Sequence, residues 1–232
     1  MSNLTTTQQH FKTVTSFEIF VSSQFQGDVN AICWHRELIG DYGEIVSAFQ
    51  PTENITVIDE KQLVAMQLTE QGQLARSIIL NDLQLLKNYG ASPILNLIKC
   101  YERDDSTSFF PTDVYSFHAD SSPINTDTFL CTYFGEPSEI LPNEFAEKKV
   151  LVTEIRNELK MNFTGTEDEF ENYLREHFFD LHYQAKPNAN VISLGIGKLW
   201  RLAVDSPESK VQPCIHRAPI EKNGEYRLLL IC

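Results

Sequence analysis

The sequence predicts a mainly β, α+β chain: an antiparallel sandwich or barrel with helices in its N-terminal half and one helix inserted later. Three observations carry this. After Gly90, the runs "ASPILNLIKCYE", "DVYSFHAD", "DTFLCTYFG" and "VISLGIGKLWRLAV" are rich in β-branched and aromatic residues. Pro, Gly, Asp and Ser separate them, as expected of short strands. Before Gly90, residues 59 to 88 place Leu63, Met66, Ile78, Leu83 and Leu86 at helical intervals. Within the β-rich half, "TGTEDEFENYLREHFFDLHYQ" breaks the strand rhythm.

Taken in order, residues 1 to 14 are rich in Thr, Gln and Asn and are expected to form a flexible N-terminus. Residues 15 to 232 then form a single domain. From "SFEIFVSSQ" to "NAICWHREL" the text reads as short strands turning at Gly27-Asp28. In the helical support, 59 to 88, Gly72 is the expected break between two helices and Asn88-Tyr89-Gly90 the stop. Thr164 or Thr166 caps the inserted helix, 166 to 181. Its first turn carries Glu167, Asp168 and Glu169, where the helix dipole favours acid. Finally, "VQPCIHRAPIEKNGEYRLLLIC" places apolar runs on either side of Asn223-Gly224. That is a hairpin signal, because both turn residues tolerate positive φ.

Composition narrows the function. The 232 residues are 42% hydrophobic and 22% charged, a globular balance long enough for one core. The net charge of −13 comes with no basic cluster, so a nucleic-acid partner is disfavoured. No run approaches the roughly 18 to 20 apolar residues of a membrane helix. "MSNLTTTQQHFK" lacks the basic and apolar regions of a secretory signal. A cytoplasmic protein without a membrane partner is the expectation. Cys33, Cys100, Cys131, Cys214 and Cys232 are scattered and never form C-x-x-C, which excludes a zinc-finger or disulfide framework. The absence of G-x-S-x-G, a P-loop and H-E-x-x-H removes the commonest hydrolase and kinase readings.

The chemistry concentrates in "SFHADSS". On a strand, residues two apart share a face, so His118 and Asp120 present an imidazole and a carboxylate together. His216 lies on the penultimate expected strand and Arg227 on the last. With an even-membered hairpin loop, His216 and Arg227 face the same side of one sheet; with an odd-membered loop they do not. Two histidines and one carboxylate on one face of a metal leave its other positions open, the arrangement of non-haem Fe(II) oxygenases. A guanidinium fork nearby suits a dicarboxylate.

This H-x-D…H…R pattern resembles the Fe(II)- and 2-oxoglutarate-dependent oxygenases. The resemblance implies a double-stranded β-helix (jelly roll) with the N-terminal helices packed on one sheet. It also implies His118, Asp120 and His216 as Fe(II) ligands, and Arg227 holding the distal carboxylate of 2-oxoglutarate. A second resemblance covers more of the chain. "DVNAICWHREL", "FHAD", "FLCTYFG", "GIGKLW" and "IHRAP…YRLLL" resemble, in order, the landmarks of bacterial domain-of-unknown-function family 1826. Members of that family read roughly H-V-D, L-L-C-T-Y-R-G-P-G-T-E-W and H-R-S-P…R-L-L-L-T. "FGEPSEIL" departs from that pattern, and residues 150 to 190 are additional. The resemblance implies fold and constellation, not a substrate.

The expected function is therefore an Fe(II)/2-oxoglutarate-dependent hydroxylase of a small molecule or protein side chain. The alternative is a non-oxidative protein of the same fold that handles Zn²⁺ or binds another ligand, since a mixed N/O site does not select iron by affinity. Tyr133 is a candidate to donate to a bound carboxylate, against the plainer reading of core packing. His35 beside Trp34, and His177 and His182 at five-residue spacing, read as core or surface residues. Gly195-x-Gly197 reads as a strand kink.

Overall fold

The computed structural model describes residues 10–49, 51, 53–104, 110–178, 181–222 and 224–232. Residues 1–9 of the expected flexible terminus, and Asn223 of the expected hairpin turn, lie outside the described residues. The elements run β1 (Phe11–Val14), α1 (Phe17–Ser22), β2 (Ala31–Trp34), α2 (Tyr42–Ala48), β3 (Ile55–Ile58), α3 (Glu60–Ala65), α4 (Glu70–Tyr89) and β4 (Ile94–Ile98). Then follow β5 (Phe117–His118), β6 (Asp127–Phe134), β7 (Glu139–Leu141), β8 (Ala146–Lys148), α5 (Thr153–Met161) and α6 (Glu167–His177). The last strands are β9 (His182–Ala185), β10 (Ile192–Ser193), β11 (Leu199–Ala203), β12 (Ile215–Arg217) and β13 (Arg227–Ile231).

The strands form a seven-stranded sheet, β1-β2-β11-β6-β13-β4-β3, and a six-stranded sheet, β10-β7-β12-β5-β9-β8. All their pairings are antiparallel except β1 with β2. Alternation along the strands divides the core. Leu228 and Leu230 of β13 join Phe129, Cys131 and Tyr133 of β6 under α1 to α4. Leu229 turns the other way, with Leu130, Trp200 and Leu202, and meets Ile140 of the six-stranded sheet. The N-terminal helices thus cover one face of the larger sheet, and the smaller sheet covers the other.

Several elements differ from the sequence reading. Phe11–Val14 is not frayed, because it pairs in register with Ala31–Trp34. "SFEIFVSSQ" holds helix α1 rather than a strand. Ser16 caps it by accepting from Ile19 N, and Arg201 Nη1 donates to the carbonyls of Phe20, Val21 and Ser23 at its end. Tertiary hydrogen bonds thereby satisfy a six-residue helix that is too short to stand alone. The helical break falls at Met66–Thr69, not at Gly72, because Thr69 caps α4. Gly72 is small because a Cβ there would collide with the Glu44 carboxylate. Ile79, rather than Ile78, is the fully buried member of the α4 stripe. Gly90 stops α4 in the left-handed conformation, as expected.

Thr166 and Glu169 form a capping box on the inserted helix, which ends at His177, short of 181. Phe178 instead packs edge-on against Phe110. A second inserted helix, α5, had no expectation.

The expected terminal hairpin does not form. β12 is flanked by β5 and β7, and β13 by β4 and β6, in different sheets. Both edges of each strand are filled, so residues 218–226 cross from one sheet to the other. Among the described residues there, Glu225 N donates to Lys222 O at 2.9 Å and Gly224 has φ 83°.

Beneath α4 a buried polar cluster ties helix to sheet. Asp82, fully buried, accepts a bidentate fork from Arg36 and a 2.6 Å hydrogen bond from the Tyr133 hydroxyl. Removing one partner strands a buried charge, which typically costs about 3–5 kcal/mol. Asp82→Ala is expected to lower unfolding stability by about that much in urea titration. Tyr133→Phe, which deletes one hydrogen bond to a charged group, is expected to cost about 1.5–3 kcal/mol.

Candidate metal centre

The site is built by strand register. His216 of β12 lies directly opposite His118 of β5 and opposite Ile140 of β7. Directly opposed residues share a sheet face. Ile140 belongs to the core between the sheets, so the two imidazoles point into that interior. Their ring centroids are 4.6 Å apart. Asp120 follows β5 by two residues. Its backbone is anchored by Asp205 N, which donates to Asp120 O at 2.8 Å, and its Oδ2 accepts from the Thr128 hydroxyl.

The three side chains then converge. His118 Nε2 lies 3.9 Å from Asp120 Oδ1, and His216 Nε2 lies 3.7 Å from Asp120 Oδ2. One donor atom from each falls within 4.8 Å of the others. The donor set suits a divalent cation, and each imidazole is already oriented. His118 Nδ1 lies 2.8 Å from Ser116 O, and His216 Nδ1 lies 3.3 Å from Cys214 O. A carbonyl can only accept, so each Nδ1 carries the proton. The Nε2 lone pairs are left facing the carboxylate, the usual wiring of metal-binding histidines. Burial lowers the His216 pKa, with Asp120 opposing and His118 assisting the shift; the neutral, ligating form is favoured. Side-chain exposure rises from 8% at His216 to 16% at His118 and 35% at Asp120. The triad therefore opens to solvent on the carboxylate side.

Arg227 reaches this interior from the opposite sheet, not from a shared hairpin. It is buried, and Nη2 donates to Thr132 Oγ1 at 3.1 Å and Ser138 Oγ at 2.6 Å. Its Nε is buried with no hydrogen-bond partner. No carboxylate among the described residues pairs with it. Glu221, which lies near enough to act on its charge, is instead bonded by both oxygens to the Tyr115 hydroxyl. Burial pulls the Arg227 pKa down.

Tyr133 is not part of this site. Its hydroxyl is committed to Asp82, on the helix-covered face of the sheet, while Thr132 beside it faces Arg227. Alternation along β6 separates the two.

Two further residues border the site: His182, which the sequence reading set aside as core or surface, and Lys149, which it did not single out. His182 lies directly opposite His118 on β9. Lys149 is buried and donates to Pro111 O at 2.9 Å and to the Ser116 hydroxyl at 2.5 Å. Ser116 is the residue whose carbonyl orients His118, so Lys149 braces a metal-type ligand at second hand. No spacing rule marks a lysine 31 positions from its histidine.

Comparison with protein-family models, curated proteins and solved structures finds no match. Among the described residues, no helix is long and apolar enough to cross a membrane.

Outer supports of metal ligands typically contribute tenfold to a hundredfold in affinity. Lys149→Met is expected to weaken Co(II) binding about tenfold, measured by competition with a chromophoric chelator. His118→Ala is expected to abolish binding in the same assay.

Proposed function

We propose that the chain is an Fe(II)- and 2-oxoglutarate-dependent oxygenase, acting on a small molecule or protein side chain. The observation that carries this reading is the buried Arg227 guanidinium, which has no carboxylate in hydrogen-bond contact among the described residues and keeps an unpartnered Nε beside the interior that holds His118, Asp120 and His216. A buried cation without a directly paired carboxylate is costly, and an anionic ligand with a planar carboxylate would relieve that cost. On this reading the two packed sheets are the halves of a jelly roll, and the resemblance to domain-of-unknown-function family 1826 reflects kinship.

His118, Asp120 and His216 would hold the metal through two neutral imidazoles and one carboxylate. A bound Fe(II) with 2-oxoglutarate supplies the oxidising chemistry: O₂ and 2-oxoglutarate yield succinate and CO₂, and one oxygen atom enters the substrate C–H bond. The protein's part is placement. Arg227, held by Thr132 and Ser138, fixes the far carboxylate of the co-substrate. The larger sheet's interior side chains, Leu229 and Trp200 among them, exclude water behind it. Asp120, the most exposed of the three, marks the side from which the primary substrate arrives.

The test is equilibrium binding of 2-oxoglutarate to Fe(II)-loaded protein under anaerobic conditions. Arg227→Met is expected to weaken 2-oxoglutarate about a hundredfold, the loss of two charge-assisted hydrogen bonds. Fe(II) affinity should change only a few-fold. Arg227→Lys keeps the charge but not the fork and should fall between. Wild-type protein that takes Zn²⁺ tightly and shows no affinity for 2-oxoglutarate would favour the metal-handling alternative.

A further inference from the structure

His118 has a histidine on each side. β12, β5 and β9 are neighbours, and His216, His118 and His182 occupy directly opposed positions across them. The three imidazoles form one row on the inner face. The spacing within the row is unequal: 4.6 Å between the rings of His216 and His118, and 5.9 Å between those of His118 and His182. His182 falls outside the set of donor atoms that converge with Asp120. Its Nδ1 is nevertheless buried with no hydrogen-bond partner. A desolvated ring nitrogen without a partner is a standing cost, and a ligand in the same interior can remove it.

We infer that His182 is a ligand-positioning residue: its Nδ1–H donates to an acceptor atom of whatever small anion or substrate group occupies the open position of the metal held by His118, Asp120 and His216. The inference rests on the metal reading of that triad. Arg227 and His182 then serve different molecules. Arg227 lies near enough to His216 to act on its charge, and His182 flanks the triad beyond His118, near Lys149, the residue after β8. The ring atom left for such a ligand is Nδ1, the buried nitrogen without a partner; with the imidazole proton on it, it donates. The chemical class it recognises is a hydrogen-bond-accepting oxygen or nitrogen adjacent to the metal, as in a carboxylate, an amide carbonyl or azide.

The probes are Co(II) alone, then azide added to the Co(II)-loaded protein, both read in the visible spectrum. His182→Phe keeps a ring and removes both nitrogens, and His182→Leu serves if the phenyl ring disturbs folding; His182→Gln keeps an N–H donor. The expected result is Co(II) affinity within threefold of wild type in all variants. Azide should bind about tenfold more weakly to His182→Phe or His182→Leu, and His182→Gln should recover part of the loss. Unchanged azide affinity in these variants would overturn the inference and leave the triad reading standing. Co(II) binding lost as completely as in His118→Ala would overturn it too, by making His182 a fourth ligand of a closed site. Wild-type protein that takes up no Co(II) would overturn both readings together.

Discussion

The site depends on the register of β12 against β5. These strands are three and two residues long, so few ladder bonds fix them. Yet a one-residue slip would turn every side chain to the opposite face. His216 opposite His118 is therefore maintained from outside the pair. Ile215 and Phe117 bury their side chains with Leu141 on the outer face of the same sheet. That apolar cluster holds the alternate positions out, and the imidazoles are held in. The Asp205-to-Asp120 backbone bond and the Thr128 hydroxyl then bring the carboxylate to both rings.

The second condition is that the partner cation comes from the other sheet. β13 is central in the seven-stranded sheet, between β4 and β6, so Arg227 has little freedom to withdraw to solvent. The β6 ladder slips beside Leu228/Leu229, and irregularities of this kind commonly re-aim side chains near functional sites. Thr132 and Ser138 each satisfy part of the guanidinium, while Nε stays unpaired. The helix-covered face of the same sheet shows the contrasting solution. There Arg36 is fully answered by Asp82, as a structural ion pair should be. One buried arginine has its carboxylate within the fold, and the other keeps a buried Nε without a hydrogen-bond partner.

The chemical constellation was more legible in the sequence than the connections that deliver it. His118, Asp120, His216 and Arg227 stand out because residue type and spacing survive in the text. His118 and Asp120 do lie together, but Asp120 is past the end of β5 and is placed by Asp205 and Thr128, not by strand alternation. The terminal hairpin misled, because Asn-Gly reports a local turn and cannot say whether the strands it joins share a sheet. α1 misled for a related reason: its stability comes from Arg201, 180 residues away in sequence from Val21. His182 could have been found only by knowing that β5 and β9 are neighbours. Its five-residue distance from His177 points elsewhere. Tyr133 was ambiguous by type, being equally able to line a site or a core, and strand alternation decided it.

The most direct test of the account is the visible spectrum of the anaerobic, metal-free protein titrated first with Fe(II) and then with 2-oxoglutarate. A weak metal-to-ligand charge-transfer band that appears only when both are present, and disappears in Asp120→Ala, is the result predicted by a triad and an arginine that serve one co-substrate. Folded protein that binds Fe(II) yet develops no band at saturating 2-oxoglutarate would contradict it.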